Sequence, residues 1–297
     1  MKRKIAMLCS VVMLTSCFAA CGNAKVQESP PTLEPIQEAP EKEVAIEHTE
    51  TPPMLGYNLL WADEFDGPTL DESNWNVELR DPGWTNNELQ AYVDTDENVF
   101  IKDGCLCLKA IETVDENGKK SYTSGKVNSQ NKRDFLYGKV VVRAKVPEGQ
   151  GLWPAAWMMP TDESKYGQWP KCGEIDIMEE VGFTPNEVSS SIHTQAYNHT
   201  NKTHKTKAVT IKKAEGDFHI YSLLWTDDEI ITYVDGKELL HLEKSVLGDT
   251  HDQWPFHYPF HIILNLAWGG DWGGQEGVDE SALPVTMEVD YVRVYQK

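Results

Sequence analysis

The strongest structural signal in the sequence is Gly173-Glu174-Ile175-Asp176-Ile177-Met178-Glu179, where three carboxylates fall within six residues among large apolar side chains. This alternation predicts a β-strand, because successive side chains of a strand point to opposite faces of the sheet. Glu174 and Asp176 then share one face, and the two isoleucines that follow them point to the other. The pattern is typical of a sheet with one apolar face and one acidic face.

The third acid requires one irregularity in this strand. Strict alternation would place Met178 beside the first two acids and would bury Glu179. One extra residue in the strand, a β-bulge at Ile177-Met178, returns Glu179 to the acidic face. The sequence therefore predicts a bulged strand with three carboxylates in a row on one face.

Carboxylates this close together cannot all ionise freely, so the pKa of at least one should rise. A protonated acid beside an ionised one is the pair that glycosidic bond cleavage requires. A retaining glycosidase holds its two carboxyl groups about 5–5.5 Å apart, which Glu174 and Glu179 reach only by leaning together on a curved sheet. A solvated, charged edge strand is the alternative interpretation, but the Ile and Met residues around the acids favour a wall with one wet concave face.

The first 56 residues differ from the rest of the chain. Residues 1–21 have three basic residues, a short apolar run and then small residues, which is the pattern of a bacterial export signal. Cys17 and Cys21 are the two candidate lipid-attachment residues, and a cleaved signal ending near Ala20 is the alternative. Residues 22–56 contain six prolines, seven glutamates and no aromatic residue, which predicts a disordered tether. We expect a cell-surface lipoprotein, or else a secreted protein, that contacts the membrane only through its lipid.

Residues 57–297 have the length of one large β-domain and contain all ten tryptophans. The formal charge is +3 in residues 1–21, −5 in residues 22–56 and −18 in the domain. An acidic domain disfavours nucleic acid and anionic polymers as partners and favours neutral ones. Its three cysteines, at 105, 107 and 172, have no CxxC spacing and are odd in number, so we expect neither a disulfide framework nor a zinc site from them.

Short strand-like segments separated by turns fill the domain, and no long amphipathic helix interrupts them. The clearest segments are residues 138–147, 218–225, 229–234, 260–267 and 285–295, with one short turn at 245–248. Many strands with turn signals every ten to fifteen residues predict an all-β sandwich or jelly roll.

Aromatic residues surround the acidic strand in the sequence. Trp153 and Trp157 precede it, Trp169 lies in the segment between them and the acids, and Trp268 precedes a glycine-rich loop. A flat indole packs against the apolar face of a sugar ring, so these residues suggest a carbohydrate cleft. Core packing is the alternative for each of them, and it is the preferred interpretation for Trp225.

Histidines follow the acidic strand. His193 lies on the next predicted strand and is expected to line the same cleft. A zinc site built from His193, His199 and His204 is not expected, because these residues fall in a polar segment without a supporting carboxylate pattern.

Taken together, these segments resemble glycoside hydrolase family 16, and within it the laminarinase branch of endo-β-1,3-glucanases. The acidic strand and the segment Trp153-Pro154-Ala155-Ala156-Trp157-Met158-Met159-Pro160 carry the resemblance. Further matching segments are Trp61-Ala62-Asp63-Glu64-Phe65, Trp84-Thr85-Asn86-Asn87-Glu88-Leu89-Gln90, Tyr122-Thr123-Ser124-Gly125-Lys126, Asn265-Leu266-Ala267-Trp268-Gly269-Gly270 and Val289-Asp290-Tyr291-Val292-Arg293-Val294-Tyr295.

The resemblance implies a β-jelly-roll of two curved antiparallel sheets with a substrate cleft across the concave one. It also implies retaining hydrolysis, with Glu174 as nucleophile, Glu179 as general acid and then base, and Asp176 assisting. With its extra residue Met178, the acidic strand is similar to the corresponding strand in the bulged branch of the family. In lichenases that strand looks instead like Glu-x-Asp-x-Glu, without the extra residue.

Substrate-binding residues also follow from the resemblance. Trp153 and Trp157 would shape the donor side of the cleft, and Asn87 and His193 would contact sugar hydroxyls. Lys126 stands where relatives often have Arg, so the bidentate hydrogen bonding of a guanidinium is lost. Relatives often carry a structural calcium on the convex side, and the matching positions here are Glu64, Gly104 and Asp290. No cofactor is expected for catalysis.

The resulting hypothesis is a monomeric, exported endo-β-1,3-glucanase that acts on laminarin-type β-glucan. The alternatives are a hydrolase of the same mechanism acting on mixed-linkage β-1,3-1,4-glucan or on a galactan, and a β-glucan-binding module without catalysis. Transglycosylation is a further possible outcome of the same mechanism.

Overall fold

The computed structural model describes residues 56–165 and 167–297. The expected export signal with Cys17 and Cys21, and the expected tether up to its last residue, lie outside the described residues.

Two β-sheets make up the described domain. The larger sheet has ten strands, in the order β15-β14-β13-β8-β17-β5-β6-β3, with β1 paired to β17 and β4 paired to β5. These strands are β1 (Asn58–Asp63), β3 (Gln90–Tyr92), β4 (Val99–Lys102), β5 (Cys105–Val114), β6 (Lys120–Ser124), β8 (Gly138–Lys145), β13 (His219–Trp225), β14 (Glu229–Val234), β15 (Lys237–Glu243) and β17 (Val285–Gln296). All of their pairings are antiparallel except that of β3 with β6.

The smaller sheet is antiparallel and carries the acidic strand near its centre. Its seven strands follow the order β12-β11-β10-β9-β16-β7-β2. They are β2 (Asn76–Val77), β7 (Lys126–Asn128), β9 (Leu152–Pro160), β10 (Glu174–Glu180), β11 (Glu187–His193), β12 (Lys205–Thr210) and β16 (Phe260–Trp268).

Helical structure is confined to four short segments of the described chain. They are α1 (Lys244–Leu247) and the 3₁₀ turns Glu163–Lys165, His199–Asn201 and Glu280–Ala282. None of the helices in residues 56–165 and 167–297 has the length and apolar character needed to cross a bilayer.

The strands predicted from the sequence are confirmed to within two residues. β8 ends at Lys145, just before the proline that closes the predicted segment, and β13 and β14 form the predicted antiparallel hairpin. β16 and β17 extend the predicted strands by one residue each. The all-β jelly-roll prediction is also confirmed, since both sheets are built almost entirely from antiparallel pairs.

The core lies between the two sheets. It contains alternate residues of most long strands together with large aromatic side chains, among which Trp75, Trp225, Trp254, Phe256 and Phe260 are fully buried. The core position expected for Trp225 is therefore confirmed. Burial of apolar surface on this scale holds the sandwich together, and the three cysteines of the described chain remain buried free thiols.

The predicted bulge lies in β10 at Ile177 and Met178. The register of β10 shifts between Asp176 and Glu179 against β11, and between Asp176 and Met178 against β9. Ile177 and Met178 are both fully buried in the core, although strict alternation allows only one of two successive residues to face it. The bulge therefore returns Glu179 to the face of the other two acids.

The buried position of Met178 can be tested by truncation. We expect Met178→Ala to lower the free energy of unfolding by about 2–5 kcal/mol, because it leaves a cavity in the core. In a strand without the bulge, Met178 would face the open side of the sheet and its truncation would cost far less. Chemical denaturation measures the difference.

The matched control is Val246→Ala in α1, where the valine side chain is 76% exposed. We expect this substitution to change the free energy of unfolding by no more than about 0.5 kcal/mol. Equal effects of the two substitutions would contradict the bulged register of β10.

Candidate active site

The three acids lie on one face of the smaller sheet, which we call the cleft face. The strand register places Glu174 opposite His193, Asp176 opposite Ser191, and Glu179 opposite Ser189. On the other side, Glu179 pairs with Ala155 of β9. Small side chains therefore flank Glu179 on both neighbouring strands, and Glu179 itself is partly exposed.

Glu174 and Asp176 form a pair with the histidine of β11. His193 Nε2 lies 3.3 Å from Asp176 Oδ2 and 3.7 Å from Glu174 Oε1. The Asp176 side chain is almost completely buried, whereas that of Glu174 remains partly exposed. Trp169 packs against the His193 ring, with 5.9 Å between ring centroids. The predicted cleft positions of His193 and Trp169 thus lie beside the acids.

Glu179 has a different partner, the indole of Trp153. The Trp153 Nε1–H donates a hydrogen bond to Glu179 Oε1 at 3.0 Å. Trp272 packs edge-on against Trp153, with 5.3 Å between centroids. Asn87 belongs to the same region, since its side-chain amide donates to Asp271 Oδ1 at 2.8 Å. The carboxyl group of Glu179 is therefore held by a neutral donor, whereas Glu174 and Asp176 lie beside a histidine.

A buried lysine lies on the strands beyond the acids. Lys126 pairs in register with Asn265, and Asn265 accepts a 2.7 Å hydrogen bond from the indole of Trp157. The ammonium group of Lys126 lies 4.9 Å from the centroid of the Trp157 ring and 5.1 Å from that of Trp84. It also lies 3.7 Å from a carboxylate oxygen of Glu78. Aromatic faces and one carboxylate thus surround this cation.

Burial shifts the ionisation of all three acids in the same direction. It raises the pKa of Asp176 to about 8, and burial together with the negative charge of Asp176 raises the pKa of Glu179 to about 8. The pKa of Glu174 is raised well above its usual range, by burial first and by the charge of Asp176 second. His193 and a hydrogen bond from Trp169 oppose part of the shift at Glu174. The expected rise in at least one pKa is confirmed for the whole row.

Burial also lowers the pKa of the Lys126 ammonium group, and the carboxylates of Glu78 and Glu88 oppose this shift. The cation therefore depends on its buried acidic partners to remain charged. Glu88 lies in the loop before β3 and accepts hydrogen bonds from the side chains of Gln90 and Tyr92. Lys126 is therefore linked through Glu88 to a polar network at this loop.

The structure corrects the prediction for Trp268. Its side chain is fully buried in the core between the sheets, where it packs near Tyr122 with 6.1 Å between centroids. Along β16 it shares its face with Leu264 and Leu266, while Asn265 faces the cleft. The indole of Trp268 therefore cannot contact a sugar on the cleft face.

The residues expected to hold calcium are engaged by arginines. Arg293 donates to both carboxylate oxygens of Glu64 at 2.8 Å each, and Arg143 forms an ion pair with Asp290. The side chains of Glu64 and Asp290 are therefore each paired with a guanidinium group. Structural calcium at Glu64, Gly104 and Asp290 stays a prediction.

Several cleft residues were not singled out as site residues from the sequence. Asn265 could have been found from the alternation along β16, because it lies between Leu264 and Leu266, which both face the core. The histidines beside His193 were noted in the sequence, but their packing against it was not foreseen. Their ring centroids lie 5.2 Å (His199) and 5.7 Å (His204) from that of His193.

The fold is an all-β sandwich, and one sheet face carries desolvated carboxyl groups between indoles. This combination is typical of one class of proteins, the glycoside hydrolases with a polysaccharide cleft. The model for glycosyl hydrolases family 16 matches residues 84–293. The chain belongs to this family.

Individual relatives agree with the family match. Glucan endo-1,3-β-glucosidase A1 of Niallia circulans is 40% identical over 279 residues, which cover 86% of this chain and 40% of that protein. The laminarinase structure from Rhodothermus marinus superposes with a TM-score of 0.76 at 40% identity, covering 81% of this chain and 97% of that one. SCLam, a non-specific endo-β-1,3(4)-glucanase, superposes with a TM-score of 0.75 at 45% identity, covering 81% and 91%. The chain thus spans less than half of the Niallia protein and nearly the whole of the two solved domains.

The hydrogen bond from Trp153 to Glu179 makes a prediction for the pH dependence of hydrolysis. An N–H donor favours the ionised carboxylate, so its removal in Trp153→Phe should raise the pKa of Glu179 further. If Glu179 must be protonated to act, the alkaline limb of kcat/KM moves to higher pH, by about one unit. Initial rates between pH 5 and 10 measure this limb.

Trp157→Phe is the control, because the Trp157 indole donates to the neutral amide of Asn265. We expect this variant to keep the alkaline limb of the unsubstituted protein even where its rate falls. A limb that does not move in Trp153→Phe, or that moves equally in both variants, would contradict the assigned role of the bond.

Proposed function

We propose that the protein hydrolyses β-1,3-glucosidic bonds within laminarin-type β-glucans, with retention of anomeric configuration. The observation that carries the proposal is the division of the carboxyl groups on the cleft face. Glu179 has a pKa raised to about 8 and a neutral indole partner, while Glu174 and Asp176 lie together beside His193. The names of the Niallia and Rhodothermus relatives support β-1,3-glucan as the substrate.

Glu179 acts as the general acid in this proposal. A carboxyl group with a pKa near 8 is protonated at neutral pH, so it can give a proton to the oxygen of the departing sugar. After that transfer Glu179 is an anion and takes a proton from the incoming water. The Trp153 N–H stabilises this anion through its hydrogen bond.

Glu174 acts as the nucleophile, with Asp176 as its partner. The two carboxyl groups share a hydrogen bond, so one proton serves both. When that proton rests on Asp176, Glu174 is ionised and attacks the anomeric carbon to form the glycosyl-enzyme. His193 Nε2 lies 3.7 Å from Glu174 Oε1 and opposes part of the rise in the pKa of Glu174. Water activated by Glu179 then releases the sugar and regenerates Glu174.

Aromatic side chains would bind the glucan on both sides of the acids. Trp153 and Trp157 flank them on β9, and Trp169 lies beside His193. Asn87 and Lys126 supply hydrogen-bond donors at the cleft face in the same proposal. Each indole offers a flat apolar surface to the C–H face of a pyranose ring, and the polar groups would select among hydroxyl positions.

Two alternatives compete with this proposal. A hydrolase of the same mechanism acting on mixed-linkage β-glucan is favoured by the likeness to SCLam, whose description covers both linkages. A galactan hydrolase is less favoured if the galactan is sulfated, because the domain is strongly acidic. A binding module without catalysis is disfavoured because all three carboxyl groups are present and share one face.

The substrate and the nucleophile are tested together on laminarin, barley mixed-linkage glucan, agarose and carrageenan. We expect short β-1,3-oligomers from laminarin, and a loss of more than about a thousandfold in kcat for Glu174→Gln, because an amide cannot form the glycosyl-enzyme. Product sizing and reducing-sugar release measure both. Glu180→Gln, which changes another buried acid of β10 outside the three on the cleft face, is the control for the replacement of a buried carboxyl group by an amide.

Full-rate cleavage of laminarin by Glu174→Gln would contradict the mechanism. Binding of laminarin without cleavage by the unsubstituted protein would favour the binding module. Cleavage of barley glucan at an equal or higher rate would favour the mixed-linkage alternative, and cleavage of agarose or carrageenan alone would favour the galactan hydrolase.

We also propose that the protein is exported, is anchored at the cell surface by a lipid, and acts as a monomer. The basic residues and apolar run of the first 21 residues support export. Leu14 three residues before Cys17 supports lipid attachment at that cysteine, and Gly22 directly after Cys21 supports attachment at the other. The three carboxyl groups and the indoles beside them form one site within a single chain, so the proposed mechanism requires no second copy.

Labelling with a radioactive fatty acid in a bacterial host tests the anchor. We expect Cys17→Ala or Cys21→Ala to abolish labelling and to release the protein from the detergent phase, because only one cysteine becomes the modified N-terminus. The other single variant serves as the control. Labelling that persists in the double variant would contradict lipid attachment at either cysteine.

A further inference from the structure

Two acids and one histidine of the cleft face bring three potential metal-ligand atoms together. Glu174 Oε1, Asp176 Oδ2 and His193 Nε2 all lie within 4.8 Å of one another. The nitrogen is 3.3 Å from the Asp176 oxygen and 3.7 Å from the Glu174 oxygen. Two adjacent strands supply these atoms, so their spacing is fixed by the register of β10 and β11.

Hydrogen bonding accounts for only part of this arrangement, because the bond between Glu174 and Asp176 leaves other buried polar atoms of the group without a partner. Asp176 is only 2% exposed, yet its Oδ2 has no hydrogen-bond partner among the described residues. His193 Nδ1 is likewise buried without a partner in that part of the chain. A buried polar atom without a partner carries a desolvation cost of about 1–3 kcal/mol, so an oxygen left in this state needs an explanation.

The spacing matches the ligand shell of a small divalent ion. Zinc binds nitrogen and oxygen ligands at about 2.0–2.2 Å, and in a tetrahedral shell such ligands lie about 3.3–3.6 Å from each other. The separation of 3.3 Å between His193 Nε2 and Asp176 Oδ2 falls in this range, and that of 3.7 Å between His193 Nε2 and Glu174 Oε1 lies just beyond it. An imidazole nitrogen among the ligands favours zinc or copper over calcium or magnesium, which prefer oxygen shells.

We propose that Glu174, Asp176 and His193 form a reversible binding site for a divalent transition-metal ion of the zinc type. Binding releases the proton that Glu174 and Asp176 share, because a carboxyl group must be ionised to act as a ligand. The two carboxylates then neutralise the charge of the ion, the imidazole supplies the third ligand, and the partly exposed side of Glu174 leaves the fourth position to water. The ion occupies the oxygen of Glu174 and competes with the glucan, so it inhibits hydrolysis. The sequence does not predict a zinc site built from the three histidines, and in this proposal only His193 is a ligand.

Aromatic packing fixes the His193 ring for this role. His204 stacks on it nearly in parallel, at an angle of 11°, and His199 and Trp169 contact its edge and face. A ring held on these sides keeps Nε2 directed toward the two carboxyl groups. Preorganised ligands lose little freedom when they bind an ion, which favours affinity.

Metal binding is tested on the full-length protein after dialysis against a chelator. Co²⁺ is the probe, because its visible absorption reports the coordination geometry, and Zn²⁺ is then titrated in competition. We expect one saturable site per chain with a four-coordinate spectrum, displaced by Zn²⁺. His193→Ala and Asp176→Asn should each weaken binding by more than about tenfold, since loss of a mere supporting contact already costs 10–100-fold.

A second cluster of the same composition provides the matched control. Glu229, His241 and Glu243 also bring three ligand atoms within 4.8 Å, but on the exposed surface of the β14–β15 hairpin. His241→Ala should leave the Co²⁺ spectrum and the affinity unchanged. Circular dichroism and the melting temperature of Asp176→Asn, which preserves the shape of the side chain, establish that a loss of binding is not a loss of fold.

The outcomes separate this inference from the proposed function, on which its inhibitory part rests. Absence of a saturable site, or binding lost in His241→Ala and kept in His193→Ala, would overturn it. So would laminarin hydrolysis that is unaffected at saturating Zn²⁺. A protein that binds Co²⁺ through His193 but cleaves none of the glucans would confirm the site and refute the proposed function.

Discussion

The alternation of side chains between the two faces of β10 is the constraint on which the rest of the site depends. A strand alternates its faces with a period of two, yet β10 has to present three acids to the cleft and pack its other residues in the core. The bulge at Ile177 and Met178 solves this by burying two successive apolar side chains. Without it Glu179 would enter the core, and the acid beside Trp153 would be missing from the cleft.

Desolvation is the second consequence of this arrangement. The acids lie on a sheet whose other face is the hydrophobic core, and burial is the largest cause of the raised pKa values of all three. A carboxyl group with a raised pKa stabilises the fold below its unfolded pKa and loses that contribution as the pH rises toward about 8. The neighbouring side chains then distinguish Glu179 from Glu174 and Asp176. Trp153 stabilises the anion of Glu179 only through a neutral donor, whereas His193 lies beside the other two acids.

The strands beyond the acids contribute a buried cation and aromatic side chains that suit the recognition of a ligand. Lys126 is a buried cation whose charge is retained by Glu78 and by the faces of Trp84 and Trp157. This box of aromatic and charged groups suits a neutral polyhydroxylated ligand, which exchanges hydrogen bonds with the polar groups and covers the indoles. The short distances among Glu174, Asp176 and His193 shift the pKa of Glu174, and they also suit the proposed metal ion. The proposed catalytic and inhibitory chemistry therefore use the same atoms.

The period-two pattern of the sequence determined the strands, the sandwich, the bulge and the three acids on one face, because each depends on residues close together along the chain. The same pattern would have placed Trp268 correctly had it been followed through Leu264 and Leu266 into the core. Long-range pairing decided the rest. Glu64 is neutralised by Arg293, which lies 229 residues away, and Lys126 meets Trp84 and Trp157 only because β7, β9 and the loop before β3 converge. Such partners are set by which strands lie side by side, and that depends on the packing of the whole sandwich.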